Sequence, residues 1–179
     1  MKRNLSLLLA AALFLSLTAC GVGGDSPSAQ PSQASKTPEE LAEAYTQAIE
    51  AARDDELDQV YPVMTNASQA DPTEREMLFI LLGVAPEDMS AYAMAVSLRN
   101  VNAYAVVAIM PAPDKEEDVK TALEGYIDSQ KQAFERYLED QYQIAADAKL
   151  DTLADGTVLL VMCEGQDEIF HQIETKLAG

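Results

Sequence analysis

The chain of 179 residues has no tryptophan, one histidine and two cysteines, and its 12 Lys plus Arg are outnumbered by 30 Asp plus Glu. Each scarcity excludes something. Without tryptophan, a common stacking platform for sugars is missing. A zinc site needs several Cys or His ligands, and beyond Cys20 only Cys163 and His171 remain. Nucleophilic catalysis usually pairs Ser, Cys or Thr with a base, yet the single histidine, His171, lies between Phe170 and Gln172 with no nucleophile suggested beside it. There is no Gly-rich phosphate loop. A strongly acidic surface repels phosphates, so nucleic acid is excluded as a partner. No apolar run reaches the roughly 20 residues that span a bilayer.

What is present begins with an export signal. Lys2 and Arg3 form a positive start, and Leu5 to Leu17 is a short apolar stretch. Leu17-Thr18-Ala19-Cys20 then matches the lipobox of bacterial prolipoproteins. Small residues at 18 and 19 suit a peptidase with a narrow cleft, and the Cys20 thiol can take a diacylglyceryl thioether. Residues 1–19 are therefore expected to be a lipoprotein signal peptide and Cys20 the lipidation site. Two acyl chains, palmitate among them, would hold the chain stably to the cell membrane on its extracytoplasmic side, each buried methylene contributing about 0.8 kcal/mol. Two of the basic residues and no acid fall in this leader, so the exported part carries 10 against 30, a formal charge of −20. Such a surface attracts cations or basic partners. With Cys20 lipidated, Cys163 has no partner for an internal disulfide.

Residues 20–36 are rich in Gly, Ser, Gln, Pro and Ala, too polar to bury a core, and read as a flexible tether reaching about 20–25 Å. Residues 37–179 read as a single globular domain. Thr37-Pro38-Glu39-Glu40 predicts a helix start with a capping box, running to about Arg53. Asp54-Asp55 breaks it, and Leu57 to Met64 suggests a short strand or turn that Pro62 weakens. Thr73 to Leu82 predicts a helix stopped by Gly83. Large and small residues alternate from Ala91 to Leu98, a period of two, and Tyr104 to Met110 is almost wholly apolar, as in a central strand. Asp114 to Leu138 is a long amphipathic helix, with Asp114 and Glu117 as its expected cap and Gly125 in its middle marking close packing or a bend. Asp155-Gly156 predicts a two-residue hairpin loop placing Ala154 opposite Thr157 and Thr152 opposite Leu159. A last helix covers Asp167 to Leu177. This order predicts an α+β fold, an antiparallel sheet of about four strands with helices packed on one face.

From about Leu78 to Leu177 the chain resembles a family of Gram-positive lipoproteins defined by a domain of unknown function, number four-three-five-eight. Leu81-Leu82-Gly83, the Tyr92–Met110 strand pair, the long helix ending Phe134…Tyr137, Gln141-Tyr142, the Asp155-Gly156 hairpin and the closing helix carry the likeness. It implies a small exported domain and brings no catalytic residues.

No catalytic, metal-binding or cofactor-binding residue is assigned. Two acidic clusters, Asp54, Asp55, Glu56, Asp58 and Asp114, Glu116, Glu117, Asp118, lack the order of an EF-hand loop. Cys163 reads as a small buried hydrophobe packed against the long helix. The functional expectation is a non-enzymatic envelope module that binds a protein or peptide. A small-ligand or cation binder and a carboxylate-dependent hydrolase are the alternatives.

Overall fold

The computed structural model describes residues 36–68 and 71–179. The signal peptide, Cys20 and the tether as far as residue 35 lie outside the described residues. The fold begins with α1 (Pro38–Ala51), whose start is set as its sequence dictates. The Glu40 N–H donates to Thr37 Oγ1 at 3.2 Å, and the Thr37 N–H donates to the Glu40 carboxylate at 2.7 Å. These reciprocal bonds satisfy two donors that a helix end leaves open. Asp54 then does not merely break the helix. It caps a new one, α2 (Asp55–Val60), by accepting the Leu57 N–H at 2.8 Å. The strand expected from Leu57 shrinks to β1 (Met64–Thr65). Asp71 caps α3 (Pro72–Leu82), which ends at Gly83 in the left-handed conformation, φ 71°. A single 3-10 turn at Pro86–Asp88 leads into β2 (Met89–Val96), and β3 (Ala105–Pro111) returns beside it.

The long helix is α4 (Glu116–Phe134), and it is shorter than its periodicity suggests. Tyr137 stands exposed beyond its end, and a separate helix α5 (Glu139–Ala146) follows. Asp114 is not its cap. Asp114 sits at φ 65°, which a short polar side chain tolerates, and Lys115 at the N-cap makes no capping bond. A Cβ at Gly125 would meet nothing within 4 Å, so no close packing explains that glycine. The chain closes with β4 (Lys149–Thr152), β5 (Val158–Met162) and α6 (Gln166–Ala178).

The sheet has five strands in the order β1-β2-β3-β5-β4, all neighbours antiparallel. The α+β antiparallel architecture is as expected, with one strand more, the two-residue β1 at the edge. The helices, however, cover both faces and not one. Tyr92, Met94, Val107, Ile109, Leu160 and Met162 point to a core shared with α3, α4 and α5. Ala91, Ala93, Ala95, Val106, Leu159 and Val161 point to a second core under α1 and α6. The alternation along β2 thus sorts residues by size, and both rows are buried. A sheet apolar on both sides requires cover on both sides. The alanine row lets α1 pack close, and Tyr45 reaches across to hydrogen-bond Thr157 at 2.7 Å.

The β4–β5 hairpin is present, but three residues, Ala154, Asp155 and Gly156, close it where two were expected. The Leu153 N–H donates to the Thr157 carbonyl at 2.8 Å, and Asp151, not Thr152, faces Leu159. The cause is the Asp155 carboxylate, which accepts the Thr157 N–H at 2.9 Å and removes that donor from the ladder. Gly156 supplies the left-handed residue that ends such a loop.

Candidate functional site

Arg53 follows the C-cap of α1 and is the only basic residue between Lys36 and Arg75. Its side chain has 0% exposure and is folded beneath α2. Burying a guanidinium is costly unless its donors are met. One terminal nitrogen donates to the Tyr61 carbonyl and to the Tyr104 hydroxyl, each at 3.0 Å, and the other pairs with the Asp58 carboxylate of α2. Its Nε is buried without a partner. Above it the rings of Tyr61 and Tyr104 stack, centroids 3.9 Å apart and planes 13° from parallel. Asn102, in the loop between β2 and β3, donates to the Tyr61 hydroxyl at 2.8 Å. The same loop is pinned to α5, where Gln141 Oε1 accepts the Ala103 N–H at 2.8 Å.

These groups wall a cleft of about 630 Å³. Leu57, Tyr61, Tyr104, Ile144, Ile169 and Cys163 supply its apolar and aromatic part, about half of the lining. Asp54, Glu56 and Glu164, all exposed, add carboxylates to its lining. Burial pushes the Tyr104 hydroxyl up to about 12, against the opposing pull of Arg53. Burial likewise pushes the Cys163 thiol to about 12. Both groups therefore stay protonated at neutral pH, and a protonated thiol is a poor nucleophile.

The residues singled out in the sequence are scattered. Cys20 lies outside the described residues. Cys163 is a buried free thiol, and it packs on the α1 and α6 side of the sheet, not against the long helix. The reason is its odd position in β5's alternation, on the side shared by Leu159 and Val161. His171 is exposed on α6, its Nδ1 3.6 Å from Glu174. The first acidic cluster divides: Asp54 caps α2, Asp58 neutralises Arg53, and Glu56 stays at the cleft. Of the second, Asp118 pairs with Lys115 at 2.8 Å, which also bridges Asp88 at 3.0 Å, and Glu116 accepts from Thr152 at 2.9 Å. Among the described residues no three His, Cys, Asp or Glu are grouped to share a metal ion. Sequence reasoning missed Arg53, Tyr61, Asn102 and Tyr104. One signal was available, an isolated arginine against Asp54-Asp55 in a chain so poor in cations.

No helix among the described residues is long and apolar enough to cross a membrane. No curated protein and no solved structure matches the chain. A family profile does match, over residues 61–163, more than half of the chain. The matched segment runs from Tyr61 through Asn102, Tyr104 and Gln141 to Cys163, and leaves out α1 with Arg53 and α6. It starts earlier than the resemblance seen in the sequence and stops before the last helix. The chain belongs to the family defined by this profile, the domain of unknown function DUF4358.

Proposed function

We propose that the chain is a lipid-anchored extracytoplasmic module that binds a basic peptide or basic segment of another protein in the Tyr61–Tyr104 cleft, without turning it over. The observation that carries this reading is the cleft's composition. Apolar and aromatic side chains offer area, three exposed carboxylates offer charge, and the one buried cation is already neutralised by Asp58. Such a surface draws Lys- and Arg-bearing partners, and the acidic excess of the whole chain steers them toward it. The protonated thiol and the exposed His171, which does not line the cleft, support binding over catalysis. Membrane attachment through the diacylglyceryl group on Cys20 rests on the lipobox, and facing outward follows from the export signal.

The test is a titration of the full chain with peptides of equal length and matched apolar content, bearing Lys and Arg, Ser, or Glu. Calorimetry should show binding only for the basic set, weakening as salt rises. Glu56→Lys with Glu164→Lys should abolish it while leaving the thermal midpoint nearly unchanged. Equal affinity for all three peptides would refute the charge reading. Hydrolysis of any of them, lost with one carboxylate substitution, would replace binding by catalysis.

A further inference from the structure

We propose that α2 is a flap over the Cys163 end of the sheet, latched shut by Arg53, and that it opens while the rest of the fold stays intact. This holds whatever occupies the cleft, and does not rest on the choice of a basic ligand. The flap is a helix of six residues, none of them buried. Its apolar purchase is slight: Leu57 and the following Tyr61 are half-buried against the core that includes Tyr104 and Cys163. Open clefts adjoin it along one side and past its C-terminal end. One is the 630 Å³ cleft, and the other, about 390 Å³, lies between Val60, Tyr61, Pro62 and Met64 and the Ser97–Leu98 turn. Helices this short are marginal without tertiary support, so what holds α2 must be specific.

That specific hold converges on one guanidinium. Arg53 sits on the frame, just past the well-packed α1, and grips the flap twice, at Asp58 within it and at the Tyr61 carbonyl at its end. Its third partner, the Tyr104 hydroxyl, belongs to the frame. The latch is completed by the Tyr61 ring on Tyr104 and by Asn102 on the Tyr61 hydroxyl. Breaking these few bonds frees residues 55–61. Opening also brings the Arg53 side chain out toward water, since a buried guanidinium stripped of its carboxylate is costly. Its Nε already lacks a partner in the closed state, and that shortfall lowers the cost of opening. The flap also carries Asp55, Glu56 and Asp58, so a cationic ligand arriving at the cleft meets the moving part directly.

Cys163 reports on opening because it is 3% exposed and borders the cleft beneath the flap. The experiment is N-ethylmaleimide labelling of the full chain, with Cys163 read by peptide mass so that Cys20 does not contribute. In parallel, amide exchange is followed in α2 and in β3. A latched flap predicts labelling nearly independent of low urea, because little surface is exposed on opening. Asp58→Asn should speed labelling on the order of tenfold, the effect of weakening one charge-assisted hydrogen bond, with exchange rising in residues 55–60 and unchanged in β3. Asn102→Ala, which removes only the bond to the Tyr61 hydroxyl, should act in the same direction and serves should Asp58→Asn fold poorly. Labelling that follows the urea slope of global unfolding would overturn the proposal. So would variants that leave the rate unchanged, or that raise labelling and β3 exchange by one factor.

Discussion

At Gly156 the backbone turns with φ 89°, and a Cβ placed there would come within 3.9 Å of the Met110 sulfur. Space is adequate, so the constraint is torsional. A β-branched residue resists positive φ. Gly156→Val should therefore cost more than about 1 kcal/mol, read as a lower urea midpoint at unchanged slope. An unchanged midpoint would mean the loop can adopt another turn. Protonation is a second residue-scale control. Burial raises Cys163, Tyr45 and Tyr104 to about 12 from ordinary values of 9.0 for the thiol and 10.0 for the hydroxyls. The folded chain thus keeps protons that the unfolded chain releases. Their contribution to stability is complete below about pH 9 and is lost as pH climbs toward 12. The urea midpoint should fall steadily above pH 9, and Cys163→Ala should flatten the first part of that fall. A midpoint constant to pH 11 would contradict the burial of these groups.

Among elements, α4 offers the clearest expectation. Gly125 is exposed in mid-helix with nothing near its missing Cβ, although Ser129 bonds its carbonyl at 2.8 Å. Gly125→Ala should raise stability by about 0.5–1 kcal/mol, through helix propensity and a less flexible unfolded chain. Loss of stability, measured by the same urea titration, would mean that the glycine sustains a bend that alanine cannot. The hydrogen bonds of the sheet's β2 edge make a contrasting case. Two residues of β1 cover Ala93 and Met94 only, and Asn66 extends the cover with its side chain. Its amide oxygen accepts the Tyr92 N–H at 2.8 Å, in the manner of a further strand residue. An edge so occupied resists pairing with another chain.

For the molecule as a whole, the expectation concerns where it resides. Cys20→Ala removes the thiol proposed to take the diacylglyceryl chain, so the variant should leave the membrane fraction or persist as uncleaved precursor. Mature protein still wholly in membranes would show that something other than lipid on Cys20 holds it. The acidic excess acts at this scale too. It favours cationic partners over anionic ones, and on the proposed reading the cleft would confine recognition to one place.

Local signals were legible because their causes are local. The capping box at Thr37 and Glu40, the left-handed Gly83 that stops α3 and the hairpin glycine each satisfy their own backbone within a few residues. Period-two patterning similarly announced β2. The sheet's second helical layer, the fifth strand and the helices α2 and α5 were not announced, because short helices and alanine rows acquire meaning only from what packs on them. The hairpin register hinged on a single carboxylate, Asp155, taking the Thr157 N–H. The candidate site was least visible of all. Arg53 and Tyr104 are 51 residues apart, and no spacing rule joins them. From sequence alone came the family likeness and the α+β class, since composition and short-range order suffice for these. Only the tertiary structure decided which face each strand residue served, and that the one arginine among the acids would be buried beneath stacked tyrosines, because burial is a property of neighbours distant along the chain.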